Sequence, residues 1–183
     1  MKSSFLFIAA ALLPVFVAAQ KIQYPPGFTR LLGKAGLEFL EPLEAGYRDI
    51  HLLPNEFQNC QFAIRSRKEG LQIRFFIMPW DEDNPLSLNP HVATFRILTT
   101  VATNADEAVI SAIRPTREDL EKDFNAGWGM VYFFQPKPGF SDQPRCRMLA
   151  LSKEGKGTAF IFYLFDDPGN VALDLRYHIL RFW

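Results

Sequence analysis

Cysteine is scarce in this chain: Cys60 and Cys146 are the only two in 183 residues. Their spacing matches neither a redox Cys-x-x-Cys pair nor a zinc-ligand set. Histidine offers little more. His51, His91 and His178 stand far apart, and none has the spacing of HExxH or HxH, so no metal centre is expected. An excess of one charge is also lacking, with 20 Lys and Arg against 20 Asp and Glu. That balance, without a basic run, argues against nucleic acid or an anionic membrane surface as the main partner. No GxSxG elbow surrounds any serine, and the glycines near 127–129 and 153–157 lack the lysine and hydroxyl of a phosphate loop. No nucleotide site or cofactor is expected. Beyond residue 19, no segment is long and apolar enough to cross a bilayer.

What is present begins at the first residues. Lys2 precedes an apolar run from Phe5 to Ala19 that ends in Val17-Ala18-Ala19. A basic start, a short apolar core and a small-residue exit read as a cleaved secretory signal over residues 1–19. The run is shorter than a spanning helix, and Pro14 interrupts it. Gln20 is then the mature N-terminus, and no cysteine near the exit allows lipid attachment. A secreted or periplasmic protein is expected, without stable membrane insertion after cleavage. In such a compartment an isolated cysteine pair reads as a structural disulfide, Cys60 to Cys146, with two buried free thiols as the alternative. Closing a loop of about 85 residues would stabilise the fold by roughly 4–5 kcal/mol in the chain-entropy account.

Residues 20–37 read as an N-terminal arm, irregular over 20–28 because of Pro25, Pro26 and Gly27, and residues 38–183 as a single domain. Strands are expected at Tyr47–Leu53, Cys60–Ser66 and Leu71–Met78. Phe62 and Ile64, then Leu71, Ile73, Phe75 and Ile77, alternate with other residues at period two, and a polar turn separates the last two strands. Asn89-Pro90 opens a helix with Val92, Phe95, Leu98 and Ala102 as its buried stripe. Thr116 opens a second, with Asp119 three residues on and Leu120 and Phe124 as the buried pair. Strands follow at Met130–Gln135, Arg145–Ser152 and Thr158–Phe165. Both faces of the last are apolar, which marks a central strand covered on each side. The tail fits a helix through Val171, Leu175, Ile179 and Phe182 or a strand through Leu173, Leu175, Tyr177 and Ile179; Asp167-Pro168 as a cap favours the helix.

Strands in two runs with helices between them define an α+β class, a mostly antiparallel sheet of about six strands packed against two to three helices. This order, with Asn125-Ala126-Gly127-Trp128-Gly129 after a helix and Tyr163-Leu164-Phe165-Asp166-Asp167 closing a strand, resembles the α/β sandwich of the PsbP-like and DcrB-like proteins over residues 38–182. The resemblance implies a fold and an assembly or accessory role, with no shared catalytic site.

Asp81-Glu82-Asp83-Asn84 is the densest acidic run, but Leu86 stands where a calcium loop needs its turn glycine and Val92 where it needs an acid. It reads as a solvated loop. Trp80 and Trp128 each end a regular element beside acid or glycine, where an aromatic can serve recognition. Trp80, Asp81, Asp83 and Trp128 are therefore the candidate binding residues. With 18 phenylalanines against 3 tryptophans and 5 tyrosines, the chain is expected to hold a Phe-packed core, an apolar pocket or an oligomer interface. The function expected is that of a non-enzymatic domain, a monomer or weak homo-oligomer, binding a protein partner or an apolar small molecule. The alternative is a secreted hydrolase whose site gathers distant residues around a histidine.

Overall fold

The structure, a computed structural model, describes residues 22–40 and 43–183. The expected signal and Gln20 lie outside those residues. The architecture is α+β, as expected, with a seven-stranded antiparallel sheet at its centre. In spatial order the sheet runs β2 (Arg48–Asp49), β3 (Phe62–Ser66), β4 (Leu71–Pro79), β8 (Gly157–Phe165), β7 (Arg145–Lys153), β6 (Trp128–Phe134) and β5 (Ser111–Ile113). A separate antiparallel pair joins β1 (Leu37–Phe39) to β9 (Leu180–Phe182).

β8 is the middle strand, and all nine of its residues are buried. Its odd positions, Ala159, Ile161, Tyr163 and Phe165, enter one core, while Phe160, Phe162 and Leu164 enter the other. Period-two side chains with both faces covered explain why this strand reads as a continuous apolar run. The first core is roofed by α1 (Pro26–Lys34), the β1–β9 pair, α4 (Arg117–Phe124) and the single-turn α5 (Ala172–Leu175). Phe28, Phe39, Phe62 and Phe75 pack there with ring centroids 4.6–6.0 Å apart, which accounts for part of the phenylalanine excess. The second core lies under α3 (Pro90–Val101), beside a short α2 (Pro85–Leu88), and is closed by Phe140.

The structure corrects several expectations. The N-terminal arm is not irregular from residue 26: Pro26 occupies the first helical position of α1, and Phe28 and Leu32 are buried. Tyr47–Leu53 contributes only two strand residues, Arg48 and Asp49. α3 begins at Pro90 as expected, and Leu98 and Ala102 are buried as expected, but Ala93, Thr94, Ile97 and Val101 complete the stripe, whereas Val92 and Phe95 are 56% and 67% exposed. Both sets keep three- and four-residue steps, so periodicity alone does not choose the phase. α4 carries the full capping box, Thr116 Oγ1 accepting from the Asp119 amide at 3.1 Å and Asp119 accepting from the Thr116 amide. Leu120 and Phe124 are buried, and Asn125 ends the helix in the left-handed conformation at φ 50°. The tail follows neither reading in full: the helix is a single turn, Ala172–Leu175, and the strand, β9, begins only at Leu180, beyond the Leu173–Ile179 alternation. The Tyr163 hydroxyl fixes it, reaching the carbonyls of Arg176 and Tyr177 at 3.0 and 3.2 Å.

Candidate functional site

The sheet has two ends, and the candidate binding residues lie at one of them. Trp80 follows β4, and its amide donates to the Lys156 carbonyl at 2.9 Å. Trp128 opens β6 opposite Ser152, its ring edge-on to His91 at 4.7 Å. Because Pro79 pairs with Gly157 and Ser152 with Thr158, the structure brings Trp80, Asp81, Asp83 and Trp128 to one end of the sheet. Both tryptophans are half-buried and both acids exposed. Asp81 orders its own turn: its Oδ1 accepts from the Asp83 amide at 3.1 Å, and its carbonyl accepts from Ser87 Oγ at 2.5 Å. Among the described residues, no group of three or more His, Cys, Asp or Glu could hold a metal ion.

An apolar groove lies at the opposite end, beneath the β5 edge. It encloses about 370 Å³ between Val109 and Ser111 of the β5 segment, Phe133 of β6, Phe165 ending β8, and Pro168 and Leu173 near α5. The register places Ser111 directly across from Phe133, so both side chains face the groove. Phe133 packs against the first core but stays only partly buried. Arg147 does not line the groove but braces Phe133 and Leu173, which do. Its guanidinium stacks 4.3 Å from the Tyr177 ring centroid and 5.7 Å from that of Phe133, and Nη1 donates to Asp174 at 3.1 Å and the Leu173 carbonyl at 3.4 Å. Its Nε is buried without a hydrogen-bond partner. Arg145 stands at the rim, its Nε donating to the Asp166 carbonyl at 3.1 Å.

β5 closes this side of the sheet and pairs only with β6. Val109, Ile110 and Ile113 are exposed, Val109 by 74%. Among the described residues, Val109–Arg114 form no backbone hydrogen bond outside the β5–β6 ladder. An apolar, unprotected edge of this kind is a template for another strand. The sequence reading did not find this site. Its walls come from segments around residues 109, 133, 165 and 173, each too short or too ordinary to stand out alone.

The two cysteines are free thiols in this structure rather than the expected bridge. The fold nevertheless gathers them in the second core: Cys146 on β7 lies within it and Cys60 packs against it. Arg74 stands close to both. Its Nη1 donates to the Phe140 carbonyl at 2.5 Å, with the guanidinium carbon 5.0 Å from that ring's centroid. With the Gln72 amide oxygen turned toward it, Arg74 also donates to that oxygen at 2.6 and 2.8 Å. Burial pushes the Cys60 thiol up to about 12 despite Arg74. Burial and the neighbouring Cys60 also raise Cys146. Neither thiol is an activated nucleophile.

His51, His91 and His178 are exposed and sit on separate segments. His178 stacks on Phe124 at 5.1 Å. No histidine makes a side-chain hydrogen bond among the described residues, so none is held against a serine or acid as a hydrolase base must be. The fold and groove thus define an α+β protein with a covered central sheet, one open apolar edge and a recess beneath it. In comparisons of the chain with protein-family models, curated proteins and solved structures, nothing matches. The resemblance drawn from the sequence therefore rests on its own segments, Asn125–Gly129 as the left-handed stop of α4 and the opening of β6, and Tyr163–Asp167 as the end of β8.

Proposed function

We propose that the protein is an exported binding module and that its β5 edge and apolar groove receive an extended segment of a protein partner. The observation that carries this reading is the groove of about 370 Å³ beneath an edge strand whose Val109, Ile110 and Ile113 face solvent. Main-chain pairing along β5 would supply affinity, and alternate apolar side chains dropping between Val109, Phe133 and Leu173 would supply specificity. The export signal of residues 1–19 supports a site of action outside the cytoplasm. An apolar small molecule is the second reading, since the groove volume lies in the range of ligand pockets.

Selection of a random peptide library on the immobilised mature protein tests the first reading. Enriched sequences should alternate apolar and polar residues, and the Val109→Asp and Leu173→Asp variants should lose them by at least about tenfold, the scale of burying a charge against an apolar contact. Peptides retained equally by both variants, or no enrichment at all, would overturn the groove as the binding face. Displacement of the selected peptides by a long-chain alcohol would favour the small-molecule reading.

A further inference from the structure

The other edge of the sheet has the opposite chemistry. β2 is a two-residue strand, and its Arg48 lies directly across from Arg65 of β3. Directly opposed residues in an antiparallel pair hold their side chains on one face within about 4.5–5.5 Å at Cβ, and like charges there are destabilising. Arg67 and Lys68 follow in the β3–β4 turn, and all four cations are exposed. The three ion pairs among the described residues use Arg117, Arg147 and Arg176, so none of these four is in one. Lys68 has the Glu69 carboxylate nearby, but that carboxylate is already held by Arg176 and Tyr47. One strand further in, Arg74 is bonded only to neutral oxygens, those of Phe140 and Gln72. Four cations without an ion-pair partner, against the carboxylates of Glu44 and Asp49, leave this edge with an excess of positive charge in a chain whose total charge balances.

These side chains surround a concavity of about 540 Å³, which Glu44 and Asp49 also line. Guanidinium forks match the paired oxygens of a tetrahedral oxyanion, and arginine rather than lysine is the residue suited to that geometry. The volume exceeds what an inorganic ion needs and falls among small-molecule sites. The two carboxylates are acceptors with no role toward the oxyanion, but they can take hydroxyl donors on the rest of the ligand.

We propose that this concavity binds a small, hydroxyl-bearing molecule through its phosphate or sulfate ester, with Arg48, Arg65 and Arg67 on the oxyanion and Glu44 and Asp49 on the hydroxyls. The site is at the far edge of the sheet from the β5 groove and does not depend on it.

Calorimetric titration of the mature protein with glucose 6-phosphate, glucose 6-sulfate and inorganic phosphate tests this, with vesicles containing phosphatidylglycerol as a fourth arm. A sugar ester should bind more tightly than inorganic phosphate. Arg48→Ala and Arg65→Ala should each weaken it by about tenfold or more, the scale of one charge-assisted hydrogen bond. Glu44→Gln with Asp49→Asn should remove the preference for the sugar ester over inorganic phosphate. Preference for the phosphate or the sulfate assigns the source of the oxyanion, and either supports the proposal. Thermal melting without ligand provides the control for folding: relieving the opposed charges should leave the melting temperature of Arg48→Ala and Arg65→Ala unchanged or raised. No binding of either ester, binding indifferent to both arginines, binding to vesicles alone, or a lowered melting temperature in both variants would overturn the proposal.

Discussion

Glu69 is where separate segments of the chain meet. Arg176 Nη2 donates to its Oε1 at 2.6 Å and Arg176 Nε to its Oε2 at 3.0 Å, a two-point ion pair, while the Tyr47 hydroxyl donates to Oε2 at 2.6 Å. The Glu69 carbonyl also accepts from the Asn170 amide at 2.8 Å. The hairpin turn, the approach to β2 and the C-terminal tail are thereby tied at one carboxylate. Burial alone would raise its pKa, but Arg176 and Tyr47 together outweigh burial and hold it below the ordinary carboxylate value. Burial, reinforced by the Glu69 charge, pushes the Tyr47 hydroxyl far up, so it stays a donor. A carboxylate whose pKa is lower folded than unfolded contributes stability above its unfolded value, near about 4.3, and loses it as the pH falls through the folded value. Glu69→Gln should therefore cost about 2 kcal/mol at neutral pH, the worth of hydrogen bonds to a charged group. Urea unfolding of the two proteins at stepped pH checks this. The gap should close below about pH 4; a gap that persists undiminished in acid would show that shape, not charge, makes the contact.

The β7–β8 hairpin is an element held by one residue's lack of a side chain. Gly157 opens β8 at φ 140°, and a Cβ there would collide with the Met78 carbonyl and the Pro79 backbone of β4. Two residues earlier, Gly155 has φ 70° with open space where its Cβ would be. Gly155→Ala should cost about 1 kcal/mol from backbone strain alone, and Gly157→Ala about 3 kcal/mol, since strain and a backbone clash add. Equal costs in urea unfolding would show that β4 yields at Pro79. The same strands show what a sequence can reveal. β4, β7 and β8 have nine residues each, and β4 by alternation and β7 and β8 as apolar runs between polar turns are located nearly to the residue. β2 and β5 have two and three residues, all exposed, and carry no burial pattern to read. α3 was legible as a helix but not in phase, because Val92 and Phe95 are apolar yet face solvent. The candidate sites were harder still. The tryptophans marked from sequence lie at one end of the sheet, while the groove and the arginine row arise from register, which places Ser111 against Phe133 and Arg48 against Arg65. Pairing across strands is set by tertiary contacts and is not written locally.

At the scale of the whole molecule, the two thiols connect the first strands to the last. Cys60 precedes β3 and Cys146 lies in β7, yet both reach the core beneath α3, near enough for Cys60 to raise the pKa of Cys146. A bridge between them would shorten the unfolded chain's freedom by about 4–5 kcal/mol in the entropy account. The folded protein is a poor place to form it. With its pKa pushed up to about 12, Cys60 stays protonated at neutral pH, and only the thiolate exchanges. If a bridge forms at all, it has to form while the chain is still open, when both thiols have ordinary acidity and an oxidised dithiol catalyst can take up the two electrons. The two histories leave different proteins. Protein recovered from an exported culture should be lighter by two hydrogens than its reduced form and should not react with iodoacetamide until reduced and unfolded. Protein made and folded in a reducing cytoplasm should keep both thiols, label slowly at neutral pH, and label faster as the pH is raised well beyond the range where an exposed cysteine has already levelled off. It should also unfold at lower urea than the exported form, by a margin matching the loop entropy. Rapid labelling of the folded, reduced protein at neutral pH would contradict the raised pKa of Cys60 and the burial of Cys146. Two free thiols in the exported protein would mean that the core beneath α3 closes before oxidation can occur.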